Sequence, residues 1–299
     1  MKLSLPIKLA IFVLVLFALV ITTCLLWTPV KIRYYRSMLD SPNITNRVKA
    51  VGGLVHIGEK GRQTIIESFP DGEDAALLLI RFWDNCNGIY SDNAWSVPIQ
   101  HYAAYRGYQE LFQILIARSA DSGKSHVDVE RTPLHYAAMS GKCGIIKILI
   151  DRGVSLEEKD HLGYTALHQA IREDQEDAVR MLVKVGANIH ARTVWLRTPI
   201  CLASIGGRRS IAAFLISKGA NVDDSDIHKR TALHLAAFNG EKETVRLLIE
   251  KGANINVQDF EGNTPLDSTY KKGQMETASL LRSHGGKTGE ELKAEQDKK

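Results

Sequence analysis

Five threonines, Thr132, Thr165, Thr198, Thr231 and Thr264, stand 33 residues apart. The same interval separates Leu149, Leu182, Leu215, Leu248 and Leu281, and again Gly153, Gly186, Gly219, Gly252 and Gly285. Three registers that keep one period mark a chain built by stacking a small unit on its neighbour, because a unit of this length cannot cover its own apolar face. Such an array grows along one direction, so 299 residues need not divide into two ordinary domains.

Within each unit the residue types have separable tasks. Threonine is suited to open a first helix, where its hydroxyl can accept from an unpaired backbone N–H, and Pro133, Pro199 and Pro265 follow at a position that tolerates a missing donor. The pairs Ala137-Ala138 and Ala236-Ala237 are small enough for helices to approach. "LLIEKGAN" closes a second helix, with Leu248 and Ile249 directed to the core and Gly252 at a site suited to left-handed backbone.

The segments "RTPLHYAAMSGK", "YTALHQAIREDQ", "RTPICLASIGGR", "RTALHLAAFNGE" and "NTPLDSTYKKGQ" resemble ankyrin repeats. The resemblance is strong over residues 128–286 and weaker over 96–127, where one extra residue precedes His101 and Ser119 stands in for the closing glycine. It implies an all-α fold, an ankyrin-repeat solenoid of helix-turn-helix units with β-hairpin loops, with about six repeats over residues 96–286. Departures from the pattern are expected to distort two turns, at Asp174 and at Leu196, where glycine is usual. Asp267 replaces the usual histidine, and Lys271 and Lys272 mark a polar last unit. Residues 287–299, four positive and four negative charges, are expected to be a disordered charged tail.

The resemblance also implies where a partner protein is held. In the ankyrin arrangement the residues before each threonine are hairpin tips, which places His161, Leu162, Val194, Trp195, Ile227, His228 and Phe260 there. The exposed side of the first helices carries Tyr136, Met139, Arg172 and Phe238. A tryptophan and a phenylalanine facing solvent in one stripe are the residues expected at a contact surface. The sequence thus nominates Trp195, Phe238 and Phe260 as anchors, with Tyr136, Met139, Arg172, Leu162 and His228 around them. The competing reading of Trp195 is that it folds back over the turn at Leu196.

Residues 1–8 form a short basic start, and residues 9–30 contain no charge. A helix of that length measures about 33 Å against a hydrocarbon core of about 30 Å. The expectation is a retained transmembrane helix and single-pass membrane localisation, with a lipid anchor at Cys24 or a cleaved export signal as alternatives. The flanking charges do not set the side on which the repeats lie. Residues 38–90 read as helices that resemble a HEAT-type repeat through Arg47, Ala50, Leu54 and Ile57-Gly58, the preferred alternative being a helical spacer that caps the solenoid. Asn43-Ile44-Thr45 matches a glycosylation acceptor, a pattern common by chance.

Lys2, Lys8, Lys31, Arg33 and Arg36 against Asp40 account for the whole formal charge of +4, and beyond residue 40 basic and acidic residues balance. A nucleic-acid surface needs a basic excess, so that class is not expected. The cysteines, about 60 residues apart, show no metal or redox spacing. His135, His168 and His234 sit in successive units about 10 Å apart, too far to share one zinc ion with ligands near 2 Å. No phosphate loop, HExxH or GxSxG motif occurs. No cofactor, metal, small-molecule substrate or enzymatic activity is expected. The sequence points to a membrane-tethered scaffold for another protein, the alternative being a regulatory or catalytic role in residues 38–95.

Overall fold

The computed structural model describes residues 28–86, 96–118 and 130–297. The described residues fall into two compact units, the first taking 28–86, 96–99 and 108–118 and the second 100–107 and 130–297.

In the first unit residues 28–39 are helical, followed by α1 (Ile44–His56), α2 (Glu59–Ser68) and α3 (Glu73–Cys86). The side chain of Asn43 caps α1 by accepting from the Thr45 N–H at 2.9 Å. The weak first repeat supplies α4 (Ser96–Arg106) and α5 (Gln109–Arg118), and the two units divide it. Side chains explain where α5 goes. The Asp71 carboxylate accepts from the Leu111 N–H at its N-terminus (2.8 Å), and Arg47 pairs with Glu110 at 2.7 Å and donates to Gln113 at 2.8 Å. Leu54, Ile65, Leu79, Phe112 and Leu115 are fully buried in this unit.

The second unit is the array. Inner helices are α6 (Pro133–Met139), α8 (Ala166–Arg172), α10 (Pro199–Ile205), α12 (Ala232–Asn239) and α14 (Pro265–Lys272). Outer helices are α7 (Cys143–Asp151), α9 (Glu176–Lys184), α11 (Arg209–Ser217), α13 (Lys242–Glu250) and α15 (Met275–Ser283). Helices of seven to nine residues are too short to persist alone. They persist here because each packs on its counterpart in the next repeat. Leu149, Leu182, Leu215, Leu248 and Leu281 are fully buried, as are Ala137, Ala138, Ala236 and Ala237. Among the described residues the hairpin loops form no strands, and one isolated bridge joins Ser225 and Thr231.

Asp174 and Leu196 do not distort their turns. Both adopt φ of 58°, close to Gly207 at 66° in the register of Asp174 and to Lys229 at 59° in that of Leu196. The turn hydrogen bond Leu196 N to Thr193 O is 2.9 Å, the same as Lys229 N to Asp226 O. The array imposes the left-handed conformation, and the non-glycine residue bears the cost. Leu196 is largely exposed, so Leu196→Gly loses little packing while removing a left-handed penalty of about 1–2 kcal/mol; the greater freedom of unfolded glycine offsets part of that. The expected result is a gain of roughly 0.5–1 kcal/mol in urea unfolding, and a loss would show that the leucine side chain holds the turn.

Two N- and C-terminal expectations are corrected. Among the described residues no helix is long and apolar enough to cross a membrane, so single-pass localisation is not supported. All of the expected span up to residue 27, with Cys24, lies outside the described residues. The charged tail expected to be disordered carries a helix, α16 (Gly289–Gln296). Thr288 caps it by accepting from Glu291 N, while Glu291 accepts in return from Thr288 N at 2.8 Å. Arg282 pairs with Glu291 at 2.6 Å, holding its carboxyl down to about 2, and Lys287 reaches Glu295 at 2.6 Å.

Candidate protein-interaction surface

The histidines are consumed by the fold. His135 Nδ1 accepts from the Thr132 N–H at 3.1 Å and lies 2.9 Å from Thr132 Oγ1. That assigns the proton to Nε2, which donates to Tyr164 O of the next repeat at 2.9 Å. His234 repeats the pattern on Thr231 and Asn263 O, at 3.2 and 3.0 Å. So the threonine's expected capping is shared with the residue three positions on. At the third site Cys201 Sγ accepts from Thr198 Oγ1 at 3.4 Å, and at the last Asp267 accepts from Thr264 N and Gly289 N, at 2.9 and 2.7 Å. His168 caps Thr165 in the same way, but its Nε2 has no hydrogen-bond partner. Burial lowers its pKa to about 4, against the pull of the Ala191 and Arg197 carbonyls.

The hairpins are tied by a register that sequence reading passed over. Asp160, Asp226 and Asp259 are also 33 or 66 residues apart. Each carboxylate accepts two backbone N–H groups of its own turn: Leu162 and Tyr164, His228 and Arg230, Glu261 and Asn263, all at 2.9–3.1 Å. Successive tips then join through a backbone ladder, beside side-chain ties such as Lys159 Nζ to Arg192 O at 2.9 Å and Arg192 Nη1 to Ser225 O at 3.1 Å. Val194 N donates to Leu162 O (3.1 Å), Ile227 N to Trp195 O (2.9 Å) and Phe260 N to His228 O (3.1 Å).

This ladder carries the residues nominated at the tips. Phe260 is 64% exposed with the Lys229 ammonium 4.8 Å from its ring centre, and Ile227 and Val194 are exposed on the two preceding tips. His228 is exposed and Leu162 half-buried. Trp195, at 36%, leans back instead of projecting: its ring centre is 6.2 Å from Tyr164, and the Arg197 guanidinium lies 5.7 Å from it. On the inner helices Phe238 is half-buried under Lys272 (4.9 Å), Met139 is half-buried, and Arg172 is exposed, paired with Glu173 at 3.0 Å and 5.6 Å from the Tyr164 ring. Tyr136 stacks edge-on against His101 at 5.1 Å. Of these residues, Phe238, Phe260 and His228 meet around one cleft of about 280 Å³, together with Arg230 and Lys271. Tyr136, Met139, Arg172, Leu162 and Trp195 are not among the residues that line it.

In the first unit a cleft of about 690 Å³ is lined by Lys31, Tyr34, Tyr35, Lys49, Gly53 and His56, among others. His56 Nδ1 lies 3.0 Å from its own Gly52 carbonyl. The lining residues include no carboxylate, hydroxyl-bearing serine or threonine, or thiol to act with that ring. Among the described residues no group of three metal-binding side chains occurs.

Short paired helices stacked at a fixed period, with apolar residues on an otherwise polar edge, define a helical-repeat interaction scaffold. The family model of ankyrin repeats matches residues 100–193 and 191–259, more than half of the chain, and the chain belongs to the ankyrin-repeat family. It is 33% identical over 109 residues to the transient receptor potential cation channel subfamily A member 1 homolog of Caenorhabditis elegans, covering 36% of this chain and 9% of that one. It is 33% identical over 130 residues to the neurogenic locus notch homolog protein 1 of Homo sapiens, covering 44% and 5%. Against ankyrin repeat and SOCS box protein 11 of Mus musculus the identity is 28% over 103 residues, covering 34% and 31%. The chain spans less than a third of the length of each of these relatives.

Proposed function

We propose that the array is a scaffold for another protein, held by the hairpin tips and the exposed faces of the inner helices, and that it performs no chemistry of its own. The observation that carries this is the tip ladder, which fixes Val194, Trp195, Ile227 and Phe260 in one partly exposed apolar row without using their side chains. Apolar groups kept in a continuous exposed row are a contact surface. Trp195, Phe238 and Phe260 are the anchors, and Tyr136, Met139, Arg172, Leu162 and His228 lie around them. A balanced charge beyond residue 40 argues against nucleic acid as the partner.

The test is capture of a partner by the full chain, identified by proximity labelling, followed by affinity measurement with Trp195→Ala and Phe260→Ala. Each is expected to weaken binding by about 2 kcal/mol. Trp195 also touches Tyr164 and Arg197, so melting is measured beside affinity. A lowered melting temperature with unchanged affinity in both variants defeats the reading.

A further inference from the structure

The hairpin between those of Asp160 and Asp226 lacks the carboxylate that organises its neighbours. Where the neighbouring turns have Asp160, Asp226 and Asp259, this one has Thr193. Its hydroxyl accepts the Arg197 N–H at 3.2 Å, doing one of the two tasks of the aspartate, and it brings no charge. The consequence falls on Arg197. In the next repeat the equivalent residue, Arg230, is satisfied by its own turn, with Nε and Nη2 at 3.1 and 2.7 Å from Asp226 Oδ2. Two repeats earlier than Arg197, Arg131 reaches across to Asp160 at 3.2 Å. Arg197 stands in the corresponding relation to Asp226, but Arg230 already occupies that oxygen, and Arg197 Nε is left at 3.8 Å, buried and without a hydrogen bond. Two guanidinium groups therefore share one carboxylate. The Arg197 side chain is a quarter exposed, and the Trp195 ring flanks it.

We infer that Arg197 and Trp195 form a subsite for an aspartate or glutamate of the partner, set next to an apolar side chain. A planar guanidinium with spare donors is suited to a two-point hold on a carboxylate, and a flanking indole shields that pair from water. The inference rests on the interaction surface proposed above and names the chemistry of what it holds.

The experiment selects phage-displayed random dodecamer peptides on the full chain and measures the affinity of the selected peptides as free molecules. Selected sequences are expected to carry Asp or Glu beside an aromatic or aliphatic residue, and replacing that acid by its amide is expected to weaken binding about tenfold. Thr193→Asp is the decisive variant: it supplies the missing carboxylate from within, so it is expected to raise the melting temperature while lowering peptide affinity about tenfold, as does Arg197→Gln. Peptides without acidic enrichment, or peptides indifferent to Thr193→Asp, overturn the subsite. If those peptides still lose affinity with Trp195→Ala and Phe260→Ala, the interaction surface stands without it. If no peptide is selected, or none responds to any tip variant, both readings fail.

Discussion

Acidification from pH 6.5 to about 4 is expected to cost the chain about 3 kcal/mol of stability through His168 alone. The ring is fully buried and neutral in the fold, whereas in the unfolded chain it takes up a proton near its ordinary value of 6.5. Below that value the unfolded state binds the extra proton, so stability falls with pH until the folded-state pKa is passed. His135 and His234 are displaced downward for the same reason, and their contribution runs in the same direction. The array itself offers a control, because Cys201 occupies the equivalent position one repeat on. His168→Cys cannot charge in this range, so its urea midpoint is expected to depend less on pH than that of the parent chain. Parallel dependences would mean that His168 titrates alike in both states.

Deletion of residues 198–230, one whole period, is expected to leave a shorter protein that still unfolds cooperatively. The cut brings Thr231 to the place of Thr198 and lets Trp195 O receive the Phe260 N–H in place of that of Ile227. Deleting residues 198–213 instead removes α10 and part of α11, leaves Leu215 without its partner helix, and is expected to abolish the cooperative transition. Circular dichroism with thermal unfolding distinguishes the two. Equal collapse of both deletions would contradict a stack of independent units.

The parts of this molecule that were readable in advance are those written with a fixed interval. Threonine, leucine and glycine recur because each unit meets the same neighbour in the same way, so their burial and turns follow from spacing alone. The hairpin aspartates obey that interval too, and aligning residues 160, 193, 226 and 259 would have exposed both their role and the exception at Thr193. Trp195 is different in kind. Its contact with Tyr164 joins residues 31 positions apart, off the 33-residue interval, and no periodicity reports it. The C-terminal helix failed to register because its charges were counted, whereas the signal for it is the capping pair Thr288 and Glu291, a Thr-x-x-Glu spacing that a charge count passes over.

The tip ladder separates two demands that most protein surfaces must reconcile. Consecutive hairpins are joined by backbone N–H and carbonyl groups, which every residue except proline supplies, while the side chains at 194, 227, 228 and 260 are not what joins the tips; Trp195, leaning on Tyr164 of the preceding hairpin, is the exception. Mutational drift at those positions can therefore alter what the edge recognises with little effect on whether the chain folds. Recognition here is a variable that selection, or a designer, can tune one repeat at a time.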